Sequence, residues 1–182
     1  KEYGPFYLRL GRGPVPKVFD ENYKFSIGKA NIIQEDGTDA AFICNGTAVA
    51  RDIEANKVLV QKGYKNKIIE MPCVKPIDNE VIIRIAKEVK QIITVEEHSI
   101  IGGLGSAVAE VLSENIPTPL IRIGIMDTFT ESGTHDELLD KYGLSIENII
   151  SISCLAVFLN LIKSSILPAF SIFFLSSFKS GF

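Results

Sequence analysis

A chain of 182 residues suffices for one ordinary domain, or one domain and a fragment of a neighbour, and is too short for a large multidomain assembly. With 46% apolar and 23% charged residues, wholesale disorder and fibrous repeats are excluded. A formal charge of −3 argues against nucleic acid as the main partner, because neutralising phosphates takes a basic surface.

Phe6 to Leu10 alternates apolar side chains with Tyr7 and Arg9 and predicts a short strand. The stretch GRGPVP that follows is too rich in glycine and proline for a regular element. Residues 17–27 mix polar and aromatic side chains, as in a linker between domains. From Gly28 the pattern becomes regular. KANII, a turn at EDG and DAAFICNG predict a hairpin that feeds a buried strand over Ala40 to Asn45. Thr47 opens a helix with Ala48, Ala55, Val58 and Leu59 on its apolar face. Arg51, Asp52, Glu54 and Lys57 are expected on the polar face, and Gly63 just past the end.

KIIEMPCV predicts the next strand. Pro76-Ile77-Asp78 starts a second helix, capped by Asp78, with Val81, Ile82, Ile85 and Val89 inward. QIITVEE is a third strand, HSIIGGLG a glycine loop, and Ser106 to Ser113 a third helix. Pro117 and Pro119 separate that helix from PLIRIGI, a fourth strand; DTFTESG is a loop and HDELLDKYG a short helix closed by Gly143. Strands alternating with helices predict an α/β fold over residues 28–150, a mostly parallel sheet flanked by helices.

The composition breaks near residue 150. All 22 acidic residues precede it, as does every basic residue except Lys163 and Lys179. The segment 151–182 reads three ways: a membrane span over Cys154 to Phe178, a buried terminal helix, or sequence never selected as protein. Asn160, Lys163 and Pro168 argue against the span; Pro168 and the lack of a visible amphipathic stripe argue against the helix. The expected organisation is therefore residues 28–150 as the folded domain and 151–182 as an apolar tail of doubtful origin.

Candidate chemistry is sparse. GGLGSA sits between a strand and a helix like a dinucleotide loop, but Val108 stands where a third Gly or Ala is required. Glu96 and Glu97 at the strand end would also repel a pyrophosphate, so a tight, closely packed connection is expected there. The pair itself reads as hydrogen-bonding or subunit-contact residues. His98 and His135 have acidic neighbours but no nucleophile and no metal-ligand spacing, so neither is assigned a catalytic, cofactor-binding or metal role. Cys44 and Cys73 lie in apolar runs and, with Cys154, fit no disulfide framework; a reduced, cytoplasmic protein is expected. Arg12, between two glycines on a proline-held loop, offers a planar fork for phosphate or carboxylate.

Read together, GPFYLRLGRGPVP, GKANIIQEDGTDAAFICNGTAV, KPID, TVEEHSIIGGLGSAVAEVL and RIGIMDTFTESGTHDELLDKYGL resemble the C-terminal part of the transketolase family. The resemblance runs from Gly4 to Ile150 and fits the form split into N- and C-terminal polypeptides best. It implies that residues 1–16 end a pyrimidine-binding module, 17–27 form a linker and 28–150 form the transketolase C-terminal domain. It also implies transfer of a two-carbon ketol unit between sugar phosphates, with thiamine diphosphate and Mg in the complete enzyme. Arg12 matches the family's arginine for the substrate phosphate. The family's metal–diphosphate motif and its activating glutamate have no counterpart here. The chain alone is therefore expected to be inactive and to need an N-terminal partner, within a homo-oligomer such as a dimer. Alternatives are 1-deoxyxylulose-5-phosphate synthase, a 2-oxoacid dehydrogenase beta subunit, or a non-catalytic assembly module. The resemblance further predicts a polar-faced terminal helix after Glu147.

Overall fold

The protein is described here by a computed structural model over residues 4–5 and 15–160. The strand expected at Phe6 to Leu10, Arg12 and everything from residue 161 lie outside the described residues. The elements in chain order are β1 (Asn31–Gln34), β2 (Ala40–Cys44), α1 (Ala48–Gln61), β3 (Asn66–Glu70), α2 (Asn79–Ala86), β4 (Ile92–Ser99), α3 (Leu104–Asn115), β5 (Leu120–Ile125) and α4 (His135–Lys141). A further helix, α5, covers residues 146–160. The sheet order is β1-β3-β2-β4-β5, with β3, β2, β4 and β5 parallel, as expected for an α/β fold.

Strand β2 is buried along its whole length, which suits a central parallel strand covered on both faces. Successive side chains point to opposite faces. Ala40, Phe42 and Cys44 meet Ala48, Ala55 and Leu59 of α1, with Leu139 and Ile149 joining from α4 and α5. Ala41 and Ile43 face the other way, onto Ile82 and Ile85 of α2 and Leu104, Val108 and Leu112 of α3. The result is a three-layer α/β/α domain. Asp78 caps α2 as expected, accepting from the Val81 N–H at 3.3 Å, and its second oxygen accepts from the Ala30 N–H at 3.0 Å. Gly63 and Gly143 take positive φ just past α1 and α4.

Two expectations are corrected. The first is the hairpin. Strand β1 pairs antiparallel with β3, Asn31 opposite Glu70, and does not touch β2. The chain instead crosses the start of β3, where the Thr38 and Asp39 N–H groups both donate to the Lys65 carbonyl. Gly37 makes the crossing possible: its φ is +154°, and a Cβ there would stand 2.5 Å from the Asn66 carbonyl carbon. The wholly apolar β2 takes a central place, and β1, with Asn31 and Gln34, takes the edge. Gln34 and Asn31 are used there. Asn56 Nδ2 donates to Gln34 Oε1 at 2.9 Å and Asn66 Nδ2 to Asn56 Oδ1 at 3.0 Å; Asn31 Nδ2 donates to Glu70 Oε2 at 2.8 Å. Tyr23 of the linker also donates to Glu70, at 3.1 Å, so residues 17–27 are tied to the domain through this corner.

The second concerns the composition break, which falls inside α5 and is no structural boundary as far as residue 160. Ile149, Ser153, Ala156 and Val157 are buried, and Asn160 Nδ2 reaches Gln91 Oε1. That i, i+4, i+7, i+8 spacing is a core-facing stripe of small side chains, which bulk composition does not reveal. Leu155, Phe158 and Leu159 face outward, so the exposed side is apolar, unlike the polar face expected. The stretch His135–Asn160 has the length and composition of a membrane span, but a turn at Tyr142–Gly143 divides it into α4 and α5.

Candidate functional site

From β2 the chain leaves through α1 toward β3; from β4 it leaves through α3 toward β5, on the opposite side. Where connections diverge in this way, a crevice opens between the carboxyl ends of the two strands, the usual ligand position in open α/β sheets. Here that position is occupied by the chain's own carboxylates.

Glu96 is 2% exposed. Its two oxygens accept from the Leu104 N–H at 2.7 Å and the Gly105 N–H at 2.8 Å, so one carboxylate caps the first turn of α3. This is the position an anion would take at a helix N-terminus. A Cβ on Gly103 would stand 2.0 Å from Glu96 Oε2, and one on Gly105 would stand 2.8 Å from Thr94 Oγ1 and the Arg122 side chain. Gly103 therefore serves close packing over Glu96 and Gly105 close packing against Thr94 and Arg122, the tight connection expected of GGLGSA, whereas Gly102 faces open space. Capping also starts α3 two residues before the expected Ser106.

Glu97 points to the neighbouring strand end. Thr47 Oγ1 donates to its Oε2, and Arg51 Nη2 stands 3.5 Å from the same oxygen. Thr47 thus opens α1 without capping it by its side chain. Beneath, Asp52 is fully buried, and this corrects its expected place on the polar face. Burial pushes its carboxyl up to about 7, against the pull of the neighbouring Cys44 thiol and the Arg51 charge. Among the described residues both Asp52 oxygens, and Arg51 Nε and Nη2, are buried without hydrogen-bond partners. Cys44 beside Asp52 is buried as expected, and burial pushes its thiol up as well; Cys73, by contrast, is only half-buried. A signal for Asp52 was present, since Ala48, Asp52, Ala55 and Leu59 share one helical face by spacing.

Next to this corner a cleft of about 420 Å³ runs between α1, α4, the start of α5 and residues 15–16. Ala50, Leu139, Val15 and Pro16 give it apolar walls, while Glu54 and Asp136 stand among its acidic residues. His135 lines it and is exposed; His98 is exposed on the far side of Glu97, its Nδ1 2.9 Å from the Ser99 carbonyl. Arg12 lies outside the described residues.

Among the described residues no group of three or more His, Cys, Asp or Glu side chains could hold a metal ion. The helix end that would take a diphosphate is filled by Glu96. The described residues therefore do not fit a metal–diphosphate cofactor.

Residues 28–149 match the family model described as the transketolase C-terminal domain. The 6-deoxy-6-sulfo-D-fructose transketolase subunit SqwH of Clostridium sp. (strain MSTE9) is 40% identical over 147 residues, which is 81% of this chain and 45% of that protein. An apulose-4-phosphate transketolase subunit from Phocaeicola vulgatus is 43% identical over 146 residues, 80% of this chain and 46% of that protein. A solved structure titled "Split gene transketolase, inactive beta4 tetramer" superposes with a TM-score of 0.77 at 40% identity, covering 82% of this chain and 48% of that one. The chain spans about half the length of the relatives it matches.

Proposed function

Because this chain belongs to the transketolase family and carries its C-terminal domain over residues 28–149, we propose that it works as the C-terminal part of a two-chain transketolase. With an N-terminal partner it moves a two-carbon ketol unit between sugar phosphates. The observation that carries this reading is the match, over about four fifths of the chain, to relatives that are themselves transketolase subunits. Thiamine diphosphate with Mg supplies the ketol-transfer chemistry when bound in the complete enzyme. Its site belongs to the parts of the enzyme beyond residues 15–160.

The role of residues 28–160 is structural on this reading. Both carboxylates at the switch point are committed to Leu104, Gly105, Thr47 and Arg51, which supports a chain that is inactive alone. Self-association of the complete enzyme is part of the same proposal. So is a reducing cytoplasmic setting, supported by three unpaired cysteines.

Arg12 is proposed to anchor the substrate phosphate. In the two-chain enzyme Arg12→Ala is expected to raise KM for a phosphorylated sugar by roughly 10–100-fold, since a charged hydrogen bond contributes about 1.5–3 kcal/mol. A non-phosphorylated ketose of the same length should respond little. An unchanged KM for the phosphorylated substrate would remove Arg12 from the site.

A further inference from the structure

We propose that the outer face of α5, carrying Leu155, Phe158 and Leu159, docks on the surface of an anionic lipid bilayer, so that the domain lies on a membrane without crossing it. The inference goes beyond the transketolase reading and does not depend on it.

The two faces of α5 follow one spacing and have different fates. Ile149, Ser153, Ala156 and Val157 are buried against the domain. Ser153 Oγ donates to the Ile149 carbonyl at 2.6 Å, and Asn160 Nδ2 donates to Gln91, so the inner face is held to the last turn. Ser151, Leu155, Phe158 and Leu159 repeat the same i, i+4, i+7, i+8 pattern on the outside and are exposed. Leu155 and Phe158 are 57% and 58% exposed. A helix held by one face in a folded domain cannot thread a bilayer, where its whole circumference meets hydrocarbon. It can lie in the interface with its free face down.

Charge selects the partner. No carboxylate follows Glu147, and the two charges that do, Lys163 and Lys179, are both positive. Leu155 stands eight residues past Glu147. That is about 12 Å along a helix, beyond the Debye length of physiological salt. Through residue 150 the chain carries 17 basic against 22 acidic residues. A negatively charged surface therefore repels the domain and attracts this end, which orients the contact. Residues 161–182 also add twelve apolar side chains. Three exposed side chains on α5 are too few to bury twelve more, so that segment adds to the apolar surface to be covered. A second copy would set the lysines against their like. Anionic headgroups neutralise them, while the acyl boundary takes up the leucines and the phenylalanine. The cytoplasmic leaflet is the anionic one, in keeping with the reducing setting proposed above.

Flotation of the full chain with vesicles, of phosphatidylcholine alone or with about a third phosphatidylserine, reads the contact directly. Vesicle-bound protein rises and aggregates sediment, so the two are kept apart. The wild type is expected to float with the anionic vesicles. It should bind them roughly 30-fold more tightly than the neutral ones, the gain expected of two lysines at a charged surface. Phe158→Glu is expected to weaken binding by at least about 10-fold, with a thermal melt like that of the wild type, because the side chain is outside the core. Lys163→Glu combined with Lys179→Glu should abolish the preference for phosphatidylserine. An alkaline carbonate wash should release the bound protein. A chain that sediments without floating is covered by copies of itself, and one that stays free of both vesicles is covered by its own residues. One that survives the wash spans the bilayer. Each of these results overturns the proposal, as does flotation that ignores lipid charge or that Phe158→Glu leaves unchanged.

Discussion

Replacing Glu96 by alanine is expected to destabilise the domain by roughly 3–5 kcal/mol, close to the whole stability of an ordinary domain. Among the described residues the carboxylate is the sole acceptor for two N–H groups in the first turn of α3, and all three groups are buried. Alanine leaves both donors without a partner where water does not reach, and opens a cavity under Gly103. Glu96→Gln keeps one acceptor oxygen and is expected to lose about half as much. Urea titration followed by circular dichroism measures both. A loss below about 1 kcal/mol for Glu96→Ala would show that α3 does not depend on this cap.

The second large effect is one of pH. Asp52 takes up its proton at about 7 in the fold and near its ordinary 3.8 when unfolded. Between these values the unfolded chain gives up a proton that the folded chain retains. Stability therefore falls as pH rises from about 4 to 7 and levels off above, by about 4 kcal/mol in total at 1.36 kcal/mol per unit. Asp52→Asn keeps the shape without the charge. It is expected to abolish the decline and to be the more stable protein at pH 8. Asp39 and Glu88, held below their ordinary values by Lys90 and Lys67, act in the opposite direction, below about pH 4.5. The difference between wild type and Asp52→Asn across pH 5 to 8 thus reads Asp52. Thermal midpoints across that window that decline equally in wild type and variant would show that Asp52 is not the group responsible.

Most of the fold was legible because it is written in local signals. An all-apolar β2, the Asp78 cap and the glycines at 63 and 143 each act on neighbours in sequence, and each stands where expected. The partner of β1 was not legible, because strand pairing is settled by which strand has the apolar surface to occupy the middle of the sheet. The charge of Asp52 points to solvent and its helical spacing points inward, and the packing of α1 follows the spacing. For α5 the composition of residues 151–182 hid a stripe of small side chains that only the packing against Gln91 and the α1 layer makes visible. Within the candidate site, the sequence rejected GGLGSA as a dinucleotide loop for a reason the structure makes physical: the acidic strand end does not merely repel an anion, it occupies the anion's place. Glu97's engagement of Thr47 and Arg51 was out of reach, since it joins residues about fifty positions apart.

The transketolase reading is tested most directly by ketol transfer between sugar phosphates, measured with thiamine diphosphate and Mg for this chain alone, for an N-terminal transketolase chain alone, and for the two co-expressed. The expected result is transfer only when both are present. Transfer by this chain alone, or none from the co-expressed pair although the two chains purify together, would contradict it.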